Sequence, residues 1–287
     1  MSKQGLREML LIAKDAGYAV GAFNIFNYAS AKAVICAAED LKSVAIIQTS
    51  VSTVNQIGLI ELIKMLKGLM ELTTIPILVH LDHCVDIDLA KKCIEQGWDS
   101  VMIDASRYTL EENINITAKT KKYAEKFNVS VEGELGVIKG VEDNITSHIG
   151  VAATYEDSIK YLNGTGIDAF APAVGTAHGR YKGVPKINFE LVRQLAETTT
   201  CPVVIHGGTG LSEDIFDKLI RLGASKINVS TALKESYFKS LKSYIEMDNG
   251  DKNPLKLDAH VQACLTKVVK DHMRLFKSIN TATILDN

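Results

Sequence analysis

The chain has 287 residues, 46% of them hydrophobic and 23% charged, with a formal net charge of -2 and a sequence pI of about 6.4. That length and apolar content suffice for one well-buried core, so residues 1–287 are expected to form a single domain. The near-neutral charge gives no electrostatic case for nucleic acid or an anionic membrane as partner, and no apolar run is long enough to span a bilayer.

In chain order, residues 1–13 carry Lys3, Arg7 and Glu8 among apolar positions and read as an amphipathic helix, not as a signal peptide. Short β-branched or apolar runs then recur at 18–24, 44–50, 75–83, 100–106, 129–136, 169–175, 202–208 and 226–231. The stretches IPILVHL, VMID, PVVIH and KINV are nearly continuous hydrophobic runs, as expected of strands covered on both faces in a parallel sheet. Helix punctuation separates them. Gly97 closes a segment with Leu89, Ala90, Cys93 and Ile94 on its apolar face. Thr109 with Glu112 makes a capping box, and Thr154 with Asp157 is a similar start. Ser212 precedes Ile215, Phe216, Leu219 and Ile220 at helical spacing, a run that ends at Gly223. Eight strand–helix units predict an α/β fold of the (β/α)8 TIM-barrel type; the alternative is an open, doubly wound sheet.

Two stretches break the rhythm. Residues 136–154 are too many for an ordinary strand-to-helix turn and suggest a functional loop or lid. The tail after Asn253 adds a C-terminal helix striped by Leu257, Val261, Cys264, Leu265, Val268 and Leu275. An extra helix outside a complete barrel is expected to pack on a neighbouring subunit, which predicts a homodimer or a dimer-based homotetramer. The five cysteines (Cys36, Cys84, Cys93, Cys201, Cys264) are scattered without a Cys-x-x-Cys, as in a chain of the reducing cytoplasm.

In a barrel of this kind the chemistry sits at the C-terminal ends of the strands. Those ends read Asn24, Ser50, Asp82 with His83, Asp104, Glu134, His206 and Asn228, with His178 just beyond the sixth strand. Three imidazoles at matching rim positions (His83, His178 and His206) suit a catalytic zinc with an open fourth position; the bland alternative is three separately hydrogen-bonded histidines. His80 reads as a core or supporting histidine, His148, His260 and His272 as surface residues, and Cys84 as a buried thiol. His-Gly-Gly-Thr-Gly (206–210) and Asn-Val-Ser-Thr (228–231) follow the last two strands and form a backbone phosphate site, to which Gly179, Arg180 and Lys182 add donors and charge.

The motifs AFN (22–24), HLDH (80–83), SVMIDAS (100–106), VEGELG (131–136), GTAHG (175–179), HGGTG (206–210) and KINVST (226–231) resemble, in order and spacing, those of the class II, metal-dependent ketose-bisphosphate aldolases. The resemblance implies cleavage of fructose 1,6-bisphosphate or tagatose 1,6-bisphosphate to dihydroxyacetone phosphate and glyceraldehyde 3-phosphate. It implies zinc on His83, His178 and His206, and Asp82 as the acid that serves the aldehyde oxygen. Asp104 and Glu134 match carboxylates that hold a second or displaced divalent metal, and Glu142 matches a loop glutamate that moves the C3 proton. Gly179, Gly207, Gly208, Thr209, Asn228, Val229, Ser230 and Thr231 match the contacts to dihydroxyacetone phosphate, beside which some members bind a monovalent cation, Na+ or K+. Asn24, Ser50 and Lys182 complete the expected substrate-binding set, with Lys234 facing the distal phosphate.

The chain departs from the family pattern at Lys139, at the ending SINTATILDN, and at Ser230, where fructose-bisphosphate enzymes often have aspartate and tagatose-bisphosphate enzymes alanine. The sugar therefore stays open at this point, with fructose bisphosphate favoured over tagatose bisphosphate or another phosphorylated ketose. Two rivals stand beside a metal aldolase. A Schiff-base aldolase needs a lysine inside the barrel near a strand end, and the sixth strand offers only Ala173 and Val174 there. A non-catalytic phosphosugar-binding protein would have no need of Asp82, Glu142 and the three histidines together.

Overall fold

A computed structural model describes residues 5–142, 145–147, 150–181, 183, 185–247 and 252–284, leaving aside the side chains of 141–149. Eight parallel strands close a barrel: β1 (Val20–Ile25), β2 (Ala45–Ser50), β3 (Ile77–Cys84), β4 (Ser100–Ile103), β5 (Ser130–Leu135), β8 (Ala169–Pro172), β10 (Val203–Ile205) and β11 (Ala224–Val229). Each overlaps one of the expected runs, and the pairing of β1 with both β2 and β11 closes the ring that an open sheet lacks. Three further strands, β6 (Lys139–Glu142), β7 (Ile145–Ser147) and β9 (Ala177–His178), form a small separate sheet in the order β7-β6-β9.

The helices are α1 (Leu6–Ala16), α2 (Tyr28–Leu41), α3 (Val51–Ile57), α4 (Leu59–Met70), α5 (Ile87–Gln96), α6 (Leu110–Ala124), α7 (Tyr155–Thr165), α8 (Phe189–Thr198), α9 (Glu213–Arg221), α10 (Thr231–Glu246) and α11 (Pro254–Leu275). The capping box of α6 forms with both reciprocal bonds, and Thr154 caps α7 through the backbone N–H of Asp157. Ser212 precedes α9 but makes no side-chain capping bond. No helix among the described residues is long and apolar enough to cross a membrane.

Two apolar regions hold the barrel. Between the strands and the outer helices lies a continuous layer that includes Phe23, Ile47, Leu81, Val131, Phe170, Ile205 and Ile227. Inside the barrel, Val20, Ala22, Ile46, Leu78, Ala169, Ala171 and Val204 pack against Leu6, Met9, Leu10 and Ala13 of α1. The N-terminal helix thus plugs the lower mouth, and the chemistry is confined to the upper one.

Val261, Leu265, Val269 and Met273 of α11 are buried within this chain, with α11 packed against α2 and α10. Of the expected stripe, Val261 and Leu265 are thus taken up inside this chain, while Leu257, Cys264, Val268 and Leu275 are partly buried, so the helix by itself does not decide assembly. His260 bonds to Ser243, and His272 is half-buried, bonded to the carbonyl of Val268 and packed on Phe276, so neither is a simple surface residue. His148 lies outside the described residues.

Candidate metal and active site

Side chains two apart along a strand share a face, so the barrel interior is built in tiers. Above the apolar floor comes a polar tier of Gln48, His80, Ser100, Glu132 and Lys226, none with any exposed surface. The next tier up holds Asn24, Asp82, Glu134, His206 and Asn228, all buried at the base of the upper mouth. Lys226 is a lysine inside the barrel, wholly buried in the lower polar tier. Its Nζ lies 2.9 Å from Glu132 Oε2, one tier below the mouth, where an ion-paired ammonium has no access to a substrate carbonyl.

His83, next to the last residue of β3, has a left-handed backbone conformation, φ 44, and the register of β3 against β4 shifts between Leu81 and Cys84. Such a bulge re-aims a side chain, and positive φ in a non-glycine residue is uncommon outside turns and functional sites. It turns the imidazole so that Nδ1 lies 2.9 Å from Asp104 Oδ2 and Nε2 lies 2.9 Å from His206 Nδ1. His206 Nε2 in turn lies 3.0 Å from Glu132 Oε1. A carboxylate accepts and cannot donate, so His83 carries its proton on Nδ1 and His206 on Nε2. Asn228 Nδ2 is 3.3 Å from the same His206 nitrogen; two donors cannot share one hydrogen bond, so the Asn228 amide hydrogen goes to Asp82 Oδ1, also 3.3 Å away.

The consequence is chemical. His83 Nε2 and His206 Nδ1, facing each other, both present lone pairs. Two such nitrogens this close need a proton or a metal cation between them. The His178 ring lies against both, with centroids 5.0 Å from His83 and 5.9 Å from His206. Ligand atoms of all three histidines lie within 4.8 Å of one another, the donor chemistry of a three-imidazole divalent-metal site. His83, Asp104 and Glu134 form a second, overlapping group by the same measure. Glu134 Oε2 is 3.8 Å from His206 Nδ1 and 3.9 Å from His83 Nδ1.

The electrostatics agree with that assignment. Burial would raise the carboxyls of Asp104 and Glu132. At Asp104 the His83 and Ser106 hydrogen bonds override it, and at Glu132 the Lys226 ammonium does, so both stay well below the usual carboxylate range. Burial lowers His206 and pushes His80 far down, which keeps both imidazoles neutral; His80 Nδ1 is bonded to Ser100 at 2.8 Å. Cys84 is the expected buried thiol, pushed up to about 12 by desolvation.

Beside the histidines, Asp82 is gripped from both sides. Asn24 Nδ2 donates to its Oδ2 at 2.7 Å, and Gln48 Nε2 donates to Asn24 Oδ1 at 2.8 Å. Gln48 was not singled out in the sequence; the signal was a polar residue directly after the apolar run Ala45, Ile46 and Ile47, on the same face as Ser50. A carboxylate held by two amides, at a ligand's neighbouring position, is suited to exchanging a proton with a bound hydroxyl.

Next to this lies a pocket lined by His178, Gly179, Gly207, Gly208, Thr209, Asn228, Ser230 and Thr231, at the N-terminus of α10. Its backbone N–H groups and the positive end of a 16-residue helix suit a phosphate. Gly207 is required by close approach: with φ +70, a Cβ there would lie 2.3 Å from the carbonyl oxygen of Ala177. Tyr181, also not anticipated, ties the same two loops together, donating to Gly207 O at 2.7 Å and accepting from Ala177 N at 3.0 Å.

Some expected residues fall elsewhere. Ser50 spends its hydroxyl capping α3 through Thr53 N. Val229 is not at the pocket: strand alternation turns it away from Asn228 into the outer apolar layer. Lys234 is partly buried on the first turns of α10 but does not line the pocket. Arg180 points to Glu235 in a bidentate pair. Lys182 lies outside the described residues, as does the side chain of Glu142, whose backbone ends β6.

Residues 4–281 match the family described as "Fructose-bisphosphate aldolase class-II". A fructose-bisphosphate aldolase of Geobacillus stearothermophilus is 37% identical over 285 residues, covering 98% of this chain and 99% of that one. Among solved structures, a Coccidioides immitis chain described as a candidate fructose-1,6-biphosphate aldolase superposes with a TM-score of 0.91 at 28% identity, covering 98% and 99% of the two chains. The YdjI aldolase of Escherichia coli K12 superposes with a TM-score of 0.84 at 26% identity, covering 97% and 99%.

Proposed function

We propose that this chain, which belongs to the class II fructose-bisphosphate aldolase family, reversibly cleaves fructose 1,6-bisphosphate to dihydroxyacetone phosphate and glyceraldehyde 3-phosphate in a metal-dependent reaction. The observation that carries the reading is the convergence of ligand nitrogens from His83, His178 and His206 within 4.8 Å of one another. In this reading zinc is the resident ion and His83, His178 and His206 hold it. When bound, a divalent ion supplies Lewis-acid stabilisation of the charge that develops on the dihydroxyacetone phosphate half.

The chain's own residues do the rest. The phosphate of that half is bound by the backbone donors of Gly179 and of Gly207, Gly208 and Thr209, and by the start of α10 at Thr231. Asp82 accepts the proton of the C4 hydroxyl as the C3–C4 bond breaks. The electron pair of that bond moves onto C3 and is delocalised towards the C2 oxygen, and C4 leaves as the aldehyde. Asn24 and Asn228 hold the carboxylate oriented for that transfer and for its reverse. Glu142, by its motif position, then supplies the proton at C3. Asp104, accepting from His83 Nδ1, keeps Nε2 of that histidine turned inwards.

Asp82→Ala separates the proton transfer from the metal. The variant should still bind one zinc ion per chain yet lose about 100-fold or more in fructose bisphosphate cleavage, the usual scale for a positioned base. Cleavage at the unaltered rate would refute this role.

A further inference from the structure

The polar tier beneath the histidines has no counterpart in the chemistry above. Lys226 and Glu132 are both wholly buried, and a buried ion pair is a poor way to stabilise a core, because apolar residues of similar volume often serve as well or better. Its geometry assigns it another task. The two oxygens of Glu132 are divided: Oε2 meets Lys226 Nζ at 2.9 Å, and Oε1 meets His206 Nε2 at 3.0 Å. His80, whose Nδ1 is engaged by Ser100, lies 3.7 Å from Oε2 through Nε2 and packs the same carboxylate from a third side.

We infer that Glu132 and Lys226 are positioning residues for the metal: Lys226 anchors the Glu132 carboxylate so that it fixes His206 as the Nε2–H tautomer and presents Nδ1 to the ion. The inference rests on the three-histidine metal reading and extends it one tier down. Without Lys226 only His80 Nε2, at 3.7 Å and beyond hydrogen-bond distance, faces Oε2, so the carboxylate is released from its orientation and His206 can carry its proton on the nitrogen that should bind metal. Outer-shell partners of this kind govern ligand orientation and basicity. The same geometry explains how a lysine can sit inside an aldolase barrel without serving as a Schiff-base nucleophile: it is committed below the substrate level.

Two measurements test this. In metal-free wild-type protein labelled with 15N-histidine, the ring nitrogens of His206 should report the Nε2–H tautomer; an Nδ1–H tautomer would overturn the proposal without any variant. Zinc chloride affinity, read by competition with a chromophoric chelator, should fall roughly 10- to 100-fold in Glu132→Leu/Lys226→Met. It should recover most of that loss in Glu132→Gln/Lys226→Gln, in which the side-chain amide at position 226 can still anchor the one at 132 and an oxygen is kept for His206 without either charge. Equal affinity in the apolar double variant, or no recovery with glutamine, would contradict the proposal. Failure of the wild type to bind zinc would instead count against the metal site itself, leaving the tautomer to decide the positioning role.

Discussion

A single methyl group placed at Gly140 should disable the site without replacing any of its side chains. Gly140 on β6 pairs with His178 on β9, joining the hairpin that follows Leu135 to the strand that carries a metal ligand. A Cβ at Gly140 would lie 2.2 Å from the His178 carbonyl oxygen and 2.9 Å from its C and N atoms. That is about 1 Å inside the ~3.3 Å at which a carbon normally meets a carbonyl oxygen. Its φ of +127 adds strain of about 1–3 kcal/mol for alanine. The strands must separate by roughly the missing 1 Å, moving His178 or the hairpin that carries Glu142. A displacement of that size can cost about 100-fold in rate. Gly140→Ala should therefore lower kcat/KM for fructose bisphosphate about 100-fold and weaken zinc binding. The fold should survive, because the barrel core is untouched. Steady-state kinetics, chelator competition and circular dichroism together test this. Activity and zinc affinity within twofold of wild type would refute the argument from close approach.

Three other perturbations probe different parts of the site. Gln48→Leu removes the donor that holds Asn24 against Asp82; a buried polar group left unsatisfied costs about 1–3 kcal/mol, so kcat should fall about 10-fold or more while zinc stoichiometry stays at wild type. Ser230 has a buried hydroxyl with no hydrogen-bond partner among the described residues at the pocket, so Ser230→Asp should change the ratio of kcat/KM for fructose over tagatose bisphosphate in favour of fructose; an unchanged ratio in an active variant would remove Ser230 from epimer choice. The metal-free protein should lose stability in acid. His80 and His206 are held neutral by burial, so the unfolded chain, with histidines near ~6.5, binds more protons below that pH and stability falls as pH drops. Tm measured in chelator should be level above about pH 7 and decline below about 6.5; a flat profile down to pH 5 would contradict the neutral assignment.

The barrel was legible because its strands are β-branched, evenly spaced and bounded by caps such as Thr109 and Gly97. The rim was legible because function breaks the apolar pattern there: His83, His206 and Asp82 interrupt runs that packing alone would keep hydrophobic. The interior tier was not. In KINV the alternation that sends Lys226 and Asn228 inwards and Ile227 and Val229 outwards is masked by its short length. The left-handed conformation of His83 has no local signature, since it arises from the register shift between β3 and β4. The lid stretch was recognised by length alone. Its pairing with His178 is a contact across 38 positions, and only Gly140 hinted at a close backbone approach. The tail shows what an amphipathic pattern leaves open: periodicity reveals a buried face but not what buries it, and here α2 of the same chain covers part of it.

In the proposed reaction a divalent ion between His83, His178 and His206 is required for carbon–carbon cleavage, and the most direct test is to titrate zinc into exhaustively chelated protein while following fructose 1,6-bisphosphate cleavage. We predict no cleavage before addition and full recovery at one zinc ion per chain, with His206→Ala failing both to bind the ion and to recover. Undiminished cleavage by the metal-free protein would contradict the claim.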